Sequence, residues 1–272
     1  MKTQSSLLTA FTYLAIAGTA IWLTGCDSST KSEDDASTSE DNLTAVQLIA
    51  GDIASDTDGE FSELETIAAY ESGSVGKFGK PAIDTVITRP NMTISLYRKF
   101  ASVSGDSTDN YVEGSSTALV FKRSMTGVFS TPEGMTRNTR YKEINRYNAH
   151  TVTGLLPTET AITLNGTGTR SNFHEMKRTI RNQSVTETFS LSGSSTRTNI
   201  VINKNDGNNW PESGTAVYTL TITKTKSRAD KSGERTFTRT ITITYNGTET
   251  PDVTVNGEKF KIGLKDGEVT KK

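Results

Sequence analysis

The sequence predicts a mainly β protein: a large antiparallel meander, strongly curved into a half-barrel or barrel-like sheet, with a small helical hairpin before it. Three observations lead there. From Pro81 onward, apolar residues recur with a period of two in one segment after another. Clusters of Gly, Asn, Asp and Ser divide these segments at the spacing usual for an antiparallel sheet. No long helical pattern interrupts them, so the crossovers that parallel strands need have no candidate.

The chain opens on Met1-Lys2, followed by an apolar run from Leu7 to Leu23 and then Leu23-Thr24-Gly25-Cys26, after which polarity rises sharply. A positive start, an apolar core and a small-residue end make a secretory signal. The core is marginal for a spanning helix, which needs about 20 apolar residues. The Leu-Thr-Gly-Cys ending resembles the lipobox of bacterial lipoproteins, and the resemblance covers the first 26 residues. It implies cleavage between Gly25 and Cys26, a diacylglycerol on the Cys26 thiol, and acylation of the new amine by a palmitate-type chain. Residues 1–25 are then a signal peptide, and the mature protein is lipid-anchored in the cell envelope. Acyl chains anchor because each buried methylene adds about 0.8 kcal/mol. Asp27 resembles the inner-membrane retention signal of enterobacterial lipoproteins; the choice between inner and outer membrane stays open. Cys26 is the only cysteine, so no disulfide forms within one chain and no thiolate metal site is built.

Residues 26–41 are rich in Ser, Asp and Glu without apolar periodicity, and read as a disordered acidic tether. Residues 42–80 read as a small helical segment and linker. Leu43, Val46, Leu48, Ile49 and Ile53 fall near one helical face, with Asp41 or Asn42 as the cap. After Asp56-Thr57-Asp58-Gly59, the spacing of Phe61, Leu64, Ile67 and Ala68 suggests a second short helix; residues 72–80 read as a linker.

Residues 81–272 form the β domain. Alternation marks Met92–Phe100, Ala118–Met125, Tyr141–Tyr147, Ala161–Leu164, Val185–Leu191 and Ile200–Ile202. The clearest pair is Thr215–Lys226 and Arg235–Tyr245. Tyr218, Leu220 and Ile222 share one face of the first, and Phe237, Ile241, Ile243 and Tyr245 one face of the second, with threonines opposite. Val253 and Val255 lead through Asn256-Gly257, the sequence of a type I′ turn, to Phe260, Ile262 and Leu264. With 33% apolar residues, one face of the sheet is wet. A barrel, a sandwich and a curved meander wrapping the helices all fit, and the meander is favoured. The Thr-laden strands of the last sixty residues resemble uncharacterised all-β bacterial lipoproteins, a resemblance that implies no activity.

The charge is divided. Residues 27–80 hold 13 acids and 3 bases, a net −10, and residues 81–272 hold 26 bases and 18 acids, a net +8. A basic sheet suits an anionic envelope component, but also balances the acidic segment of the same chain. No basic run with interleaved aromatics points to nucleic acid.

Candidate chemistry is sparse. Asp56, Asp58, Glu60 and Glu65 resemble part of an EF-hand calcium loop, with Gly59 at the turn, although Ala54 stands where the first ligand belongs. His174 begins a zinc-protease pattern that Arg178 breaks, and His150 and His174 read as surface residues. No Gly-x-Ser-x-Gly elbow occurs. Glu143, Glu159, Glu175 and Glu187 fall on expected strands beside cationic or polar neighbours suited to surface pairing. No catalytic residue stands out. The expectation is a non-enzymatic binding or structural β-platform on the membrane. The alternatives are a carrier that cups a lipid or other apolar ligand in a curved sheet, and a glycan-acting hydrolase.

Overall fold

Alternation carries the chain into one helix and twelve strands among the residues that the computed structural model describes: 33–54, 59–63, 85–131, 138–180, 183–204, 210–229 and 231–272. The helix is α1 (Glu33–Ile53). The strands are β1 (Thr85–Arg89), β2 (Met92–Ser102), β3 (Ser107–Thr108), β4 (Ser116–Ser130), β5 (Asn138–Thr153) and β6 (Ala161–Ile180). They continue with β7 (Gln183–Asn203), β8 (Ser213–Arg228), β9 (Lys231–Thr244), β10 (Asp252–Val255), β11 (Glu258–Ile262) and β12 (Val269–Lys271).

All pair in one antiparallel sheet in chain order, except that the two-residue β3 sits on β2 alone. The sheet is curved and open. The architecture is therefore the expected meander, rather than a closed barrel or a sandwich. Asn256 and Gly257 both take positive φ, 48° and 82°, as the type I′ turn between β10 and β11 requires.

The strands are longer than their apolar runs suggest. Val185–Leu191 and Ile200–Ile202 are parts of one strand of 21 residues, about 70 Å long at 3.3 Å per residue. A bulge explains the join. Relative to both neighbours, β7 carries one extra residue near Asn199, whose φ is 48°. The bulge changes the phase, so Ser195 and Arg197 before it and Ile200 and Ile202 after it all lie buried on one face. Asn165 Oδ1 accepts the Asn199 amide at 2.9 Å and holds it in place.

That inner face is covered by α1. Ala45, Val46, Leu48, Ile49, Ala50 and Ile53 are buried in one cluster with Leu220, Ile222, Ile241, Ile243, Phe260 and Ile262. Burying each larger aliphatic side chain contributes about 1.5–3 kcal/mol. A smaller cluster of Met92, Ile94, Met125 and Ile144 lies elsewhere on the sheet. The outer face carries hydrogen-bonded threonine pairs, Thr221 with Thr238 at 3.2 Å and Thr223 with Thr236 at 2.9 Å.

The helix begins earlier than expected. Residues 33–41 belong to α1 rather than to a disordered tether. Glu33-Asp34-Asp35 is a sequence suited to the positive end of a helix. Further along, Glu40 pairs with Lys224 at 2.7 Å, and Asp41 with Arg235 at 2.7 Å and Arg239 at 3.1 Å. Asp41 and Asn42 are thus mid-helix anchors to the sheet, not caps. Phe61 lies in a helical turn at 60–63, while Leu64, Ile67, Ala68 and the 72–80 linker lie outside the described residues, as do the signal peptide and Cys26. Among the described residues, no helix is long and apolar enough to cross a membrane.

Candidate functional site: an arginine row on the inner face

Period two puts side chains of one parity on the inner face. On β5 those are Lys142, Ile144, Arg146, Asn148, His150 and Val152; only Ile144 and Val152 are apolar. Neighbouring strands add Arg123 on β4, Arg170 and Asn172 on β6, Ser195 and Arg197 on β7, and Tyr218 on β8, all buried. The register sets them side by side. Arg123 faces Asn148, Arg146 faces Arg170, Asn148 faces Gly168, and Ser195 faces Tyr218. Gly168 keeps the row compact, since a Cβ there would stand 2.3 Å from Asn148 Oδ1 and 2.7 Å from Ser195 Oγ.

Like charges opposite each other, as in Arg146 and Arg170, are unfavourable unless neutralised. The neutralising carboxylates come from one stretch, residues 52–63. Asp52 Oδ2 accepts from Asn172 Nδ2 at 2.5 Å and lies 3.5 Å from Arg170 Nη1, while its Oδ1 is 3.7 Å from Lys142 Nζ. Arg146 Nη1 donates to the Asp52 carbonyl at 2.5 Å. Glu60 accepts from Arg170 on one oxygen, and from Arg197 and the Tyr218 hydroxyl, at 2.7 Å, on the other. Glu63 accepts from Arg123 Nη1 at 3.1 Å and Asn148 Nδ2 at 3.0 Å, with His150 Nε2 at 3.2 Å. Phe61, between the two glutamates, stacks on Trp210 with ring centroids 5.2 Å apart.

Burial pushes each of these carboxyls up, but the neighbouring cations outweigh it. Glu60 is held well below the usual range by Arg197, Arg170 and Arg146. Asp52 is lowered by Lys142, Arg170 and Arg146, and Glu63 by the His150 hydrogen bond and Arg123. Burial, reinforced by Lys142, lowers His174 to about 3, so it stands neutral in the row. The Tyr218 hydroxyl is raised by burial and by Glu60, and donates as the neutral phenol. The chemistry on offer is multidentate capture of carboxylates by rigidly held donors.

Several expected residues fall elsewhere. Asp56, Asp58 and Glu65 lie outside the described residues. Glu60, expected as a calcium ligand, has both oxygens taken by arginines and Tyr218; among the described residues no group of three or more metal-ligating side chains occurs. His150 is not a surface residue: it is 2% exposed, stacked on Phe121 and bonded to Glu63. Glu159 lies in the loop between β5 and β6, where it accepts the Leu156 amide. Glu187 is buried between Arg178 at 3.0 Å and Lys226 at 2.9 Å, Glu175 pairs with Lys177 at 2.8 Å, and Glu143 accepts from the Tyr141 hydroxyl at 2.5 Å.

In the sequence alone the row's cations look like the surface charge of a wet sheet. The usable signal was parity: Arg146, Asn148 and His150 stand in phase with Ile144 and Val152. Comparison with protein families, with curated proteins and with solved structures finds no match for this chain.

Proposed function

We propose that the mature protein is a lipid-anchored bacterial envelope protein, held at the membrane through Cys26, whose sheet serves as a non-enzymatic binding platform. The observation that carries this reading is Leu23-Thr24-Gly25-Cys26 at the end of the apolar run. Six residues separate Cys26 from the start of α1, a reach of at most about 25 Å. The folded part therefore stays close to the headgroups, and the wet, Thr-rich outer face needs no apolar cover. The carrier reading would require α1 to leave the sheet, because Val46, Ile49 and Ile53 fill the apolar inner face.

The test is to express the chain with Cys26→Ala beside the unaltered chain and follow both after a carbonate wash. The unaltered chain should stay with membranes and incorporate labelled palmitate; the variant should do neither. Retention of the variant, or an intact mass of the unaltered envelope form without added lipid, would overturn the reading.

A further inference from the structure

An open sheet leaves two edge strands, and an edge offers amide and carbonyl groups to a further strand. The two edges of this sheet are built differently. β12 has three residues and runs into Lys271-Lys272, and α1 lies beside it, with Lys271 Nζ donating to Ser39 Oγ at 2.8 Å. Short length, lysines and a flanking helix are the usual protections of an edge. β1 carries no lysine, proline or bulge over Thr85-Val86-Ile87-Thr88, a run of strong strand formers.

β1 also stands exposed. Among the described residues it pairs with β2 alone. Val86 is 62% exposed and Ile87 37%. The other large apolar side chains that are exposed among those residues lie between positions 97 and 147, on the same side of the sheet. Exposed apolar surface gathered in one region marks an interaction site rather than the ordinary scatter of single residues.

We propose that β1 is a dimer seam, through which two copies of this chain join antiparallel into one continuous sheet centred on Ile87. The strand is its own complement. The antiparallel register that pairs all five residues sets Thr85 against the partner's Arg89, Val86 against the partner's Thr88, and Ile87 against the partner's Ile87. No like charges meet, and the contact closes on itself as a two-fold interface. Ile87 stands beside Ile94 on the inner face, next to the cluster of Met92, Ile94, Met125 and Ile144. The pairing of Ile87 with its twin carries that cluster across the seam. Five residues a side put the contact at the small end of interface size, so the test captures it covalently.

The test uses the full chain with Cys26→Ala in detergent, which leaves no thiol, and adds either Ile87→Cys or Thr85→Cys. Opposed residues on antiparallel strands have Cα atoms about 4.5–5.5 Å apart, within the span of about 4.4–6.8 Å that a disulfide bridges. Thr85 and the partner's Thr85 stand about 13 Å apart along the strands, too far to bridge. Under mild oxidant Ile87→Cys should give at least about ten-fold more disulfide dimer than Thr85→Cys. Equal yields, or no dimer from Ile87→Cys, overturn the proposal. Val86→Lys/Thr88→Lys sets like charges against each other across the seam. Added to Ile87→Cys, it should cut the yield at least about ten-fold with the β circular-dichroism signal unchanged; an undiminished yield overturns the seam. If a cysteine variant fails to fold, light scattering decides between the unaltered chain and Val86→Lys/Thr88→Lys. The mass of the unaltered chain should rise with concentration towards twice that of the monomer, while the lysine variant stays monomeric. Identical masses, or growth past the dimer, refute the seam. None of these readouts depends on lipid at Cys26, so this proposal and the membrane reading fail separately.

Discussion

Replacing Glu60 by Gln isolates the central contact. Gln has nearly the volume of Glu, so no cavity forms. Its amide oxygen can accept from one of the donors now served by Glu60, but its NH2 group must point at another. Arg170 and Arg197 lie at 0% and 2% side-chain exposure, so the unserved guanidinium has no water to turn to. Removing one partner of a buried ion pair costs about 3–5 kcal/mol. Two guanidinium groups converge here on a single carboxylate, which places the expectation in the upper part of that range. For a domain of this size, each 1 kcal/mol moves Tm by about 2–4 °C, so the variant should melt roughly 6–20 °C lower. Thermal unfolding by far-UV circular dichroism at pH 7, with urea titration as a second probe, reads this directly. A loss below about 1 kcal/mol by both probes would refute the reasoning, because it would mean the arginines reach solvent or other acceptors.

Acid should weaken the fold in two stages, the first through His174 and the second through the buried carboxylates. Glu60, Glu63 and Asp52 have lowered pKa values in the fold, so their stabilisation is present above the ordinary range near 4 and is lost as pH falls below it. His174, lowered to about 3, takes its proton in the unfolded chain near pH 6.5 but not in the fold, so its stabilisation also drains as pH falls from about 6.5. His174 costs up to about 1.4 kcal/mol per pH unit, so urea midpoints should fall between pH 6 and pH 4, and the three carboxylates should steepen the fall below pH 4; a flat profile across both windows would contradict the assignment. Gly168→Ala places a methyl group 2.3 Å from Asn148 Oδ1 and should cost about 1–3 kcal/mol, measured by urea unfolding. Ile49→Ala, at a side chain with 0% exposure, should cost about 2–5 kcal/mol; a smaller loss would mean that α1 is not seated on the sheet.

The strands that alternate apolar and Thr residues were readable from sequence, since burial and wetting impose the same period on both. Tyr218, Leu220 and Ile222, with Ile241 and Ile243 opposite, lie where alternation puts them. So does the Asn256-Gly257 turn, where chemistry dictates backbone conformation. The middle of the sheet was not readable in the same way. Apolar alternation is interrupted at Arg146 and at Arg170, and at Asn199 the bulge reverses the phase, so single strands show in the sequence only as fragments. Glu60 and Glu63 sit in a stretch whose Asp-Gly turn suits calcium. Only their distance from Arg197 and Arg123 in the fold reveals what they bind, and that pairing spans more than a hundred residues for Glu60 and sixty for Glu63.

A double-mutant cycle between Glu60 and Arg197 tests most directly whether the N-terminal carboxylates are seated on the sheet's arginines. Urea unfolding would be measured for the unaltered chain, Glu60→Gln, Arg197→Met and the pair. Bonded partners predict a coupling of at least about 2 kcal/mol, with the double variant more stable than the sum of the single losses allows. Losses that add to within about 0.5 kcal/mol would show that the two groups do not meet.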